Sequence, residues 1–299
     1  MHKKEVICND AGSVHCPCVL AACGKCMTCS RLAGKEFCDC KWQGVCVYNE
    51  YIQNGSLAAV HRKNLTCRIQ KKIWYGDDLV VMRIDVPRGF AEKASLPGSY
   101  VFVRPEGNSV FFDMPVSVLR ADYEDCTIDL LIKINGIKSK EAAGAEELLA
   151  VRGVYSNGLL HSGKLRLCEP KRVLCVSKGV GISPVVNYCR WAHGRNKIDV
   201  IVDTDKITRS AAADCFFGCS LNSLSYESLS TERIIGLVDE YDIVVLCASD
   251  YFQENIYIPD DKKVLSNNFT MCCGEGICGA CVYTDDKGKT YRMCKCIEK

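Results

Sequence analysis

The sequence predicts a multidomain protein in which an antiparallel β-barrel and an α/β domain lie between a cysteine-rich N-terminal module and a glycine-bent thiol loop. Three observations predict it. From about residue 61 to 169, the short β-like runs LTCRIQKKIWY, DLVVMRIDVP, SYVFVRP, VFFDMPVSVLRA and CTIDLLIKI are punctuated by Gly, Pro and Asp, the cadence of an antiparallel barrel or sandwich. From about 170 to 262, RVLCV, KIDVIVD and YDIVVLC are almost wholly apolar and alternate with helical segments, as strands covered on both faces of a parallel sheet do. Cysteine gathers at the two ends: of 23 in 299 residues, nine fall within residues 1–46 and six within 272–296. Residues 1–60 and 263–299 are therefore read as separate cysteine-rich regions. The first lacks a long hydrophobic period, so metal is expected to stand in for a core there.

Composition excludes several classes. Apolar residues make up 48% and charged residues 25%, ordinary for a globular protein, and 38 basic against 36 acidic residues leave a net charge of +2, with no basic surplus for nucleic acid. No stretch approaches the roughly eighteen consecutive apolar residues of a membrane span, and MHKKEVICNDAGSVHC has basic residues without an apolar region behind them. The expected compartment is the cytoplasm. Thiols stay reduced there, so crowded cysteines point to metal ligation rather than disulfides. Scattered ones such as Cys126, Cys168, Cys175 and Cys189 sit mostly in apolar runs and read as small core side chains.

Near the C-terminus, MCCGEGICGAC and RMCKC place Cys273, Cys278, Cys281 and Cys294 at the spacing C-x4-C-x2-C-x12-C. This is the plant-type [2Fe-2S] run with a more distant fourth ligand. A tight loop can present three thiolates only if its backbone bends sharply, and Gly274, Gly276 and Gly279 permit those bends and turn amide N–H groups toward sulfur. Zinc is the rival metal, though it usually takes paired C-x2-C knuckles and only one precedes Cys294. Cys272 and Cys296 read as bystanders, with Cys296 a competitor for the fourth position.

The N-terminal stretch HCPCVLAACGKCMTCSRLAGKEFCDCKWQGVC carries Cys16, Cys18, Cys23, Cys26, Cys29, Cys38, Cys40 and Cys46, enough thiolates for two four-ligand centres. Two spacings overlap in it. Cys18, Cys23 and Cys26 repeat C-x4-C-x2-C, while Cys23, Cys26 and Cys29 give C-x2-C-x2-C, as in [4Fe-4S] runs. A small module without a core is also how zinc ribbons look, so iron–sulfur and zinc both remain open.

Between the two ends lie two glycine turns. Asn135-Gly136-Ile137-Lys138-Ser139-Lys140 precedes the helix-like EAAGAEELLA, and a helix start offers N–H groups and a positive dipole end to a phosphate, with donors from Lys138 and Ser139. Ser177-Lys178-Gly179-Val180-Gly181-Ile182-Ser183-Pro184 follows the strand RVLCV and reads as a strand–loop–helix turn able to approach a pyrophosphate.

The order of barrel, nucleotide fold and C-terminal thiol loop, with these motifs, resembles the electron-transfer subunits of type B dihydroorotate dehydrogenase within the ferredoxin–NADP reductase superfamily. It is similar also to the small subunit of the bifurcating NADH-dependent ferredoxin:NADP oxidoreductase. The likeness spans roughly residues 62 to 299. It implies that the barrel holds FAD through Met114-Pro115-Val116-Ser117, matching the family's Arg-Pro-x-Ser, with the Ser117 hydroxyl near flavin N5 and Met114 where the arginine stands. PGSYVFVRP at 97–105 resembles the family's Pro-Gly-Gln-Phe strand, and VRGVYSNGL at 151–159, with Asn157 and Gly158, its Gly-Pro-x-Gly-Asn-Gly segment. Gly179 and Gly181 match the nucleotide loop, with Lys178 in place of its first glycine. Cys247-Ala248-Ser249 matches the Cys-Gly-Pro beside the nicotinamide, and Asp203 and Asp205, after the second strand, favour NAD over its phosphorylated form.

The resemblance implies an oxidoreductase subunit that passes electrons between NAD(P)H, FAD and a [2Fe-2S] cluster, to or from a catalytic dehydrogenase subunit or a ferredoxin-like carrier in a hetero-oligomer. The departures at Met114, Lys178 and Ala248-Ser249 suggest an alternative, a reductase scaffold that carries a cluster for docking without its own turnover. A zinc-dependent regulatory module is a third reading.

Overall fold

The computed structural model describes residues 8–166, 170–286 and 288–297, so Cys168 lies outside the described residues. Two compact units form: one is Asn64–Asn268, and the other joins the residues up to Lys63 with those from Phe269 onward.

The larger unit opens with a closed barrel. Its strands are β1 (Asn64–Tyr75), β2 (Leu79–Asp85), β3 (Tyr100–Pro105), β4 (Met114–Asp122), β5 (Thr127–Lys133) and β6 (Leu148–Tyr155), in the order β1-β2-β5-β4-β3-β6. Val80, Met82, Ile84, Val101, Val103, Val118, Ile128, Leu130 and Leu149 fill its interior. Their spacing of two along each strand is what makes these runs strands rather than helices. The first five strands fall on the expected runs, except that Val110–Phe112 forms a 3-10 turn ahead of β4. β6 departs from expectation. The segment EAAGAEELLA is helical only to Gly144, and its Leu148, Leu149 and Ala150 begin β6, which pairs antiparallel with both β1 and β3. Strand pairing on both sides outweighs the local helix preference of Glu, Leu and Ala.

A second sheet follows, built from β7 (Leu159–Leu160), β8 (Arg172–Ser177), β9 (Lys197–Asp203), β10 (Ser223–Glu227), β11 (Ile243–Cys247) and β12 (Lys263–Ser266) in the order β10-β9-β8-β11-β12-β7. All neighbours are parallel except β12 and β7. Alternate side chains enter opposite cores: Val173, Cys175, Val200, Val202 and Val245 on one face, Leu174, Val176, Ile201, Val244 and Leu246 on the other. Both faces are covered, hence the unbroken apolar runs. β12 carries this sheet past residue 262, where the sequence suggested that the thiol region begins.

The smaller unit pairs β13 (Val282–Thr284) with β14 (Thr290–Arg292) and bridges Cys8 to Cys296, with Asn9 N–H donating to the Lys295 carbonyl at 2.6 Å. The two cysteine-rich ends are thus one body. The expectation of a coreless N-terminal module is corrected: Ala21, Cys29, Leu32 and Val47 form a small apolar cluster, flanked by Trp42, Tyr48 and Tyr51. No helix among the described residues is long and apolar enough to cross a membrane.

Candidate functional site

The C-terminal thiol loop is bent as its glycines predict, with φ of +69° at Gly274, +75° at Gly276 and +79° at Gly279. Gly276 is the tightest of these. A β-carbon there would lie 2.8 Å from Leu20 Cδ1, and its own N–H donates to Cys294 Sγ at 3.2 Å. Two further N–H groups, of Glu275 and Cys278, reach Cys273 Sγ at 3.3 and 3.5 Å. Backbone donors aimed at sulfur favour the thiolate that an iron takes as ligand.

The four expected ligands come together. Cys273 and Cys281 each lie within hydrogen-bonding reach of Cys294, and Cys273 within reach of Cys278. The Cys294 thiol, helped by backbone N–H groups, holds Cys273 down at about 4 and Cys281 at about 6. As the shared donor, Cys294 is itself pushed up. No three His, Cys, Asp or Glu side chains among the described residues surround a single point as one mononuclear ion needs. The thiols are joined in a chain, Cys278 to Cys273 to Cys294 to Cys281. Cys296, the rival fourth ligand, is buried with its thiol pushed up to about 12, chiefly by burial.

Beside the loop is a buried ion quartet that sequence reading missed. Lys295 Nζ donates to Asp10 Oδ2 at 2.5 Å and to Glu275 Oε2 at 2.8 Å, while Arg62 donates to Asp10 Oδ1 at 2.8 Å and Glu275 Oε1 at 3.3 Å. Two cations meet two carboxylates, so the group is neutral. Glu275 follows the ligand loop's first cysteines and Lys295 follows Cys294, so the quartet grips the loop at both ends. The one sequence signal was a lysine set between two thiols in RMCKC.

In the larger unit the flavin-type motifs meet, with different roles. Gly158 N–H donates to the Gly98 carbonyl at 2.8 Å, so the two quoted stretches at 97–105 and 151–159 touch through their glycines. Asn157 is fully buried and accepts from Tyr100 Oη at 3.3 Å. Both residues close the barrel onto the next strands. Ser117, half-buried on β4, pairs with Tyr100, while Val116 is buried and Pro115 exposed. At the turn, Ser139 is buried and its hydroxyl is committed to its own helix start, accepting from Asn135 N at 3.0 Å and Gly136 N at 3.1 Å. It is therefore a cap, not a free phosphate donor. Lys138 reaches the Asp113 carbonyl at 3.2 Å.

That lysine leads to a group that was not anticipated. Asp113 accepts from Arg104 at 2.6 Å and from Arg152 at 2.8 Å, and the Arg152 guanidinium lies 4.7 Å from the Phe102 ring centre. Two guanidiniums thus hold the Asp113 carboxylate and Lys138 its backbone carbonyl, beside Met114, the position where the resemblance lacks its arginine. The signal in the sequence was a single arginine inside each of two apolar runs, VFVRP and LLAVRGV.

At the glycine loop, Gly179 has φ of +58°, whereas Gly181 packs on β11. A β-carbon at Gly181 would sit 2.1 Å from the Cys247 carbonyl oxygen, a backbone atom that cannot step aside. Gly181→Ala is expected to lower stability by about 3 kcal/mol or more, measured by urea denaturation; a loss under about 0.5 kcal/mol, typical of a neutral surface change, would refute this packing. Cys247 itself is fully buried, its thiol pushed up by burial and lodged in the core, so this structure does not present it to a nicotinamide. Lys178 Nζ lies 2.5 Å from Asp203 Oδ2 and 3.4 Å from Asp205 Oδ2. Asp203 is fully buried and also accepts from Leu229 N at 3.1 Å. The residue that fills the loop thus also occupies the acids expected to meet ribose, leaving Asp205 as the exposed one.

The N-terminal cysteines are distributed more widely. Cys38 and Cys40 have sulfurs 3.9 Å apart, Cys29 N–H donates to Cys26 Sγ at 3.3 Å, and Cys16 and Cys26 pack on the small apolar cluster. Cys18 precedes the short helix Val19–Ala22, and Cys23, shared by both overlapping spacings, is exposed at its end. Cys46 is exposed ahead of the helix Val47–Gln53.

No family model matches the chain. Among curated proteins, it is 23% identical over 217 residues to the electron transfer subunit of dihydroorotate dehydrogenase B (NAD(+)) of Listeria monocytogenes, a match covering 67% of this chain and 83% of that protein. The corresponding subunit of Caldanaerobacter subterraneus is 25% identical over 211 residues, 67% of this chain and 82% of its own length. Among solved structures, that of the NADH-dependent reduced ferredoxin-NADP oxidoreductase superposes with a TM-score of 0.56 at 19% identity, covering 76% of this chain and 85% of that one. The similarity expected from the motifs is found, and the fold is that of the ferredoxin–NADP reductase type.

Proposed function

We propose that this chain, similar to the electron transfer subunits of dihydroorotate dehydrogenase B, is itself an electron-transfer subunit. It couples a flavin to a [2Fe-2S] centre and serves a catalytic dehydrogenase subunit or a ferredoxin-like carrier within a hetero-oligomer. The observation that carries it is the glycine-bent loop that gathers Cys273, Cys278, Cys281 and Cys294 and aims three backbone N–H groups at their sulfurs. Flavin, when bound, exchanges electron pairs for single electrons, and an iron–sulfur cluster carries one at a time.

The chain's own residues supply the binding. Arg104, Arg152 and Lys138, set against Asp113, leave two positive charges in excess, matching the dianion of a pyrophosphate. The free N–H groups at the start of the helix Ile137–Gly144, with Gly136 ahead of it, add a positive dipole end. Pro115, Val116 and Ser117 line the same strand, with Ser117 assigned to the flavin N5 edge by resemblance. NAD(P)H is the proposed donor at Gly179, and its entry requires Lys178 to move off Asp203.

Arg152→Ala is expected to weaken FAD binding by roughly one to two orders of magnitude, the worth of a charged hydrogen bond, read by titrating flavin fluorescence. Arg104 keeps Asp113 paired in that variant, so the fold survives. The decisive experiment for the whole reading is anaerobic purification with flavin, iron and sulfide quantitation. A yellow-brown protein that releases FAD on denaturation and bleaches with NADH agrees with it; a colourless protein carrying neither flavin nor iron ends it.

A further inference from the structure

The eight N-terminal cysteines do not contribute equally to one place. A cavity of about 660 Å³ in the smaller unit is lined by Cys26, Cys29 and Cys40, and Cys38 Sγ lies 3.9 Å from Cys40 Sγ. Two sulfurs bound to one tetrahedral ion through bonds of about 2.3 Å stand roughly 3.8 Å apart, so Cys38 and Cys40 already have the spacing of a ligand pair. Cys26 and Cys29 supply a second pair at C-x2-C spacing. The Cys29 N–H points at Cys26 Sγ at 3.3 Å, the same backbone-to-sulfur contact seen in the C-terminal loop. Cys29 lies within electrostatic reach of both Cys26 and Cys40, which connects the pairs.

Size and charge decide what fits. The cavity runs on past these thiols to Lys289 and Arg292, which leaves room beside them for more than one metal ion. Lys25, Lys35, Lys41, Lys289 and Arg292 also line it, and Asp39, the acid among the lining residues, is paired with Lys35 at 2.5 Å. Two ferric ions, two sulfides and four thiolates sum to two negative charges, which such a cationic lining offsets.

We infer that Cys26, Cys29, Cys38 and Cys40 form a second iron–sulfur site, a dinuclear centre held as two thiolate pairs across this cavity. Neither overlapping spacing in the sequence corresponds to this set, and it stands independently of the C-terminal reading. The test uses the full chain purified anaerobically, with iron, sulfide and zinc measured per chain and EPR recorded after dithionite reduction. Cys38→Ser/Cys40→Ser is expected to lose about two irons and two sulfides while the C-terminal signal persists. Cys278→Ser should lose the other centre and keep this one, and Cys18→Ser should keep both. Cys38→Ser alone, altering only an exposed thiol, guards against misfolding of the double variant and should show the same loss. Loss of zinc in place of iron, unchanged metal content, or iron loss that follows Cys18→Ser would overturn the assignment. If Cys278→Ser removes nothing while Cys38→Ser/Cys40→Ser does, the C-terminal proposal fails and this one stands.

Discussion

Cys278→Ser, purified without oxygen, is expected to lose the EPR signal of the C-terminal centre completely and with it single-electron delivery to a carrier, while FAD content is unchanged. Cys278 is exposed and serine is nearly isosteric, so the substitution removes a ligand without disturbing the core. A serine hydroxyl remains protonated near neutral pH, whereas the thiol supplies the thiolate that iron binds. Flavin should still be reduced by NADH, because the barrel and the parallel sheet belong to the other unit. A variant that keeps the full signal would show that Cys278 is not a ligand and would return Cys296 to contention.

Asp10→Ala should destabilise the smaller unit by about 3–5 kcal/mol, the usual cost of stranding a buried charge. Lys295 is 1% exposed and would keep only Glu275, with Arg62 likewise deprived of its closer partner. Urea denaturation followed by limited proteolysis near the termini reads this directly; a loss below about 1 kcal/mol, the worth of an exposed pair, would mean that the quartet is not a structural clamp. Asp10 also sets a pH dependence. Burial works against its charge, but the Arg62 hydrogen bond and the Lys295 charge prevail and hold it at about 2, against an ordinary 3.8. A carboxylate depressed in the folded state contributes its stability in full above the unfolded value and loses it as pH falls through the folded one, here between 3.8 and about 2. The amount is roughly 2 kcal/mol, visible as the difference between wild type and Asp10→Asn across that interval.

Much of the architecture was legible because its signals are local. The first five barrel strands carry their own alternation. The strands of the second sheet are apolar because both faces are covered, and the C-terminal loop concentrates three thiols and three glycines in nine residues whose backbone angles follow from glycine alone. Where the reading went astray, the deciding partner was distant. The first three residues of β6 looked helical in isolation and are strand because β1 and β3 flank them. At Ser139 the partner was local instead: its hydroxyl accepts from the Gly136 N–H of its own turn.

Residues 273–294 were by themselves enough to expect a four-thiol ligand set, since spacing and glycine placement within one loop determine which sulfurs can face inward. Only tertiary structure decided that the two cysteine-rich ends form one body, that Asp10, Arg62, Glu275 and Lys295 neutralise one another behind the loop, and that Lys178 locks onto Asp203. The physical reason is range. Glycine geometry and strand periodicity act over a few residues, while the pairing of a buried charge depends on whichever opposite charge the fold brings near, from any distance along the chain.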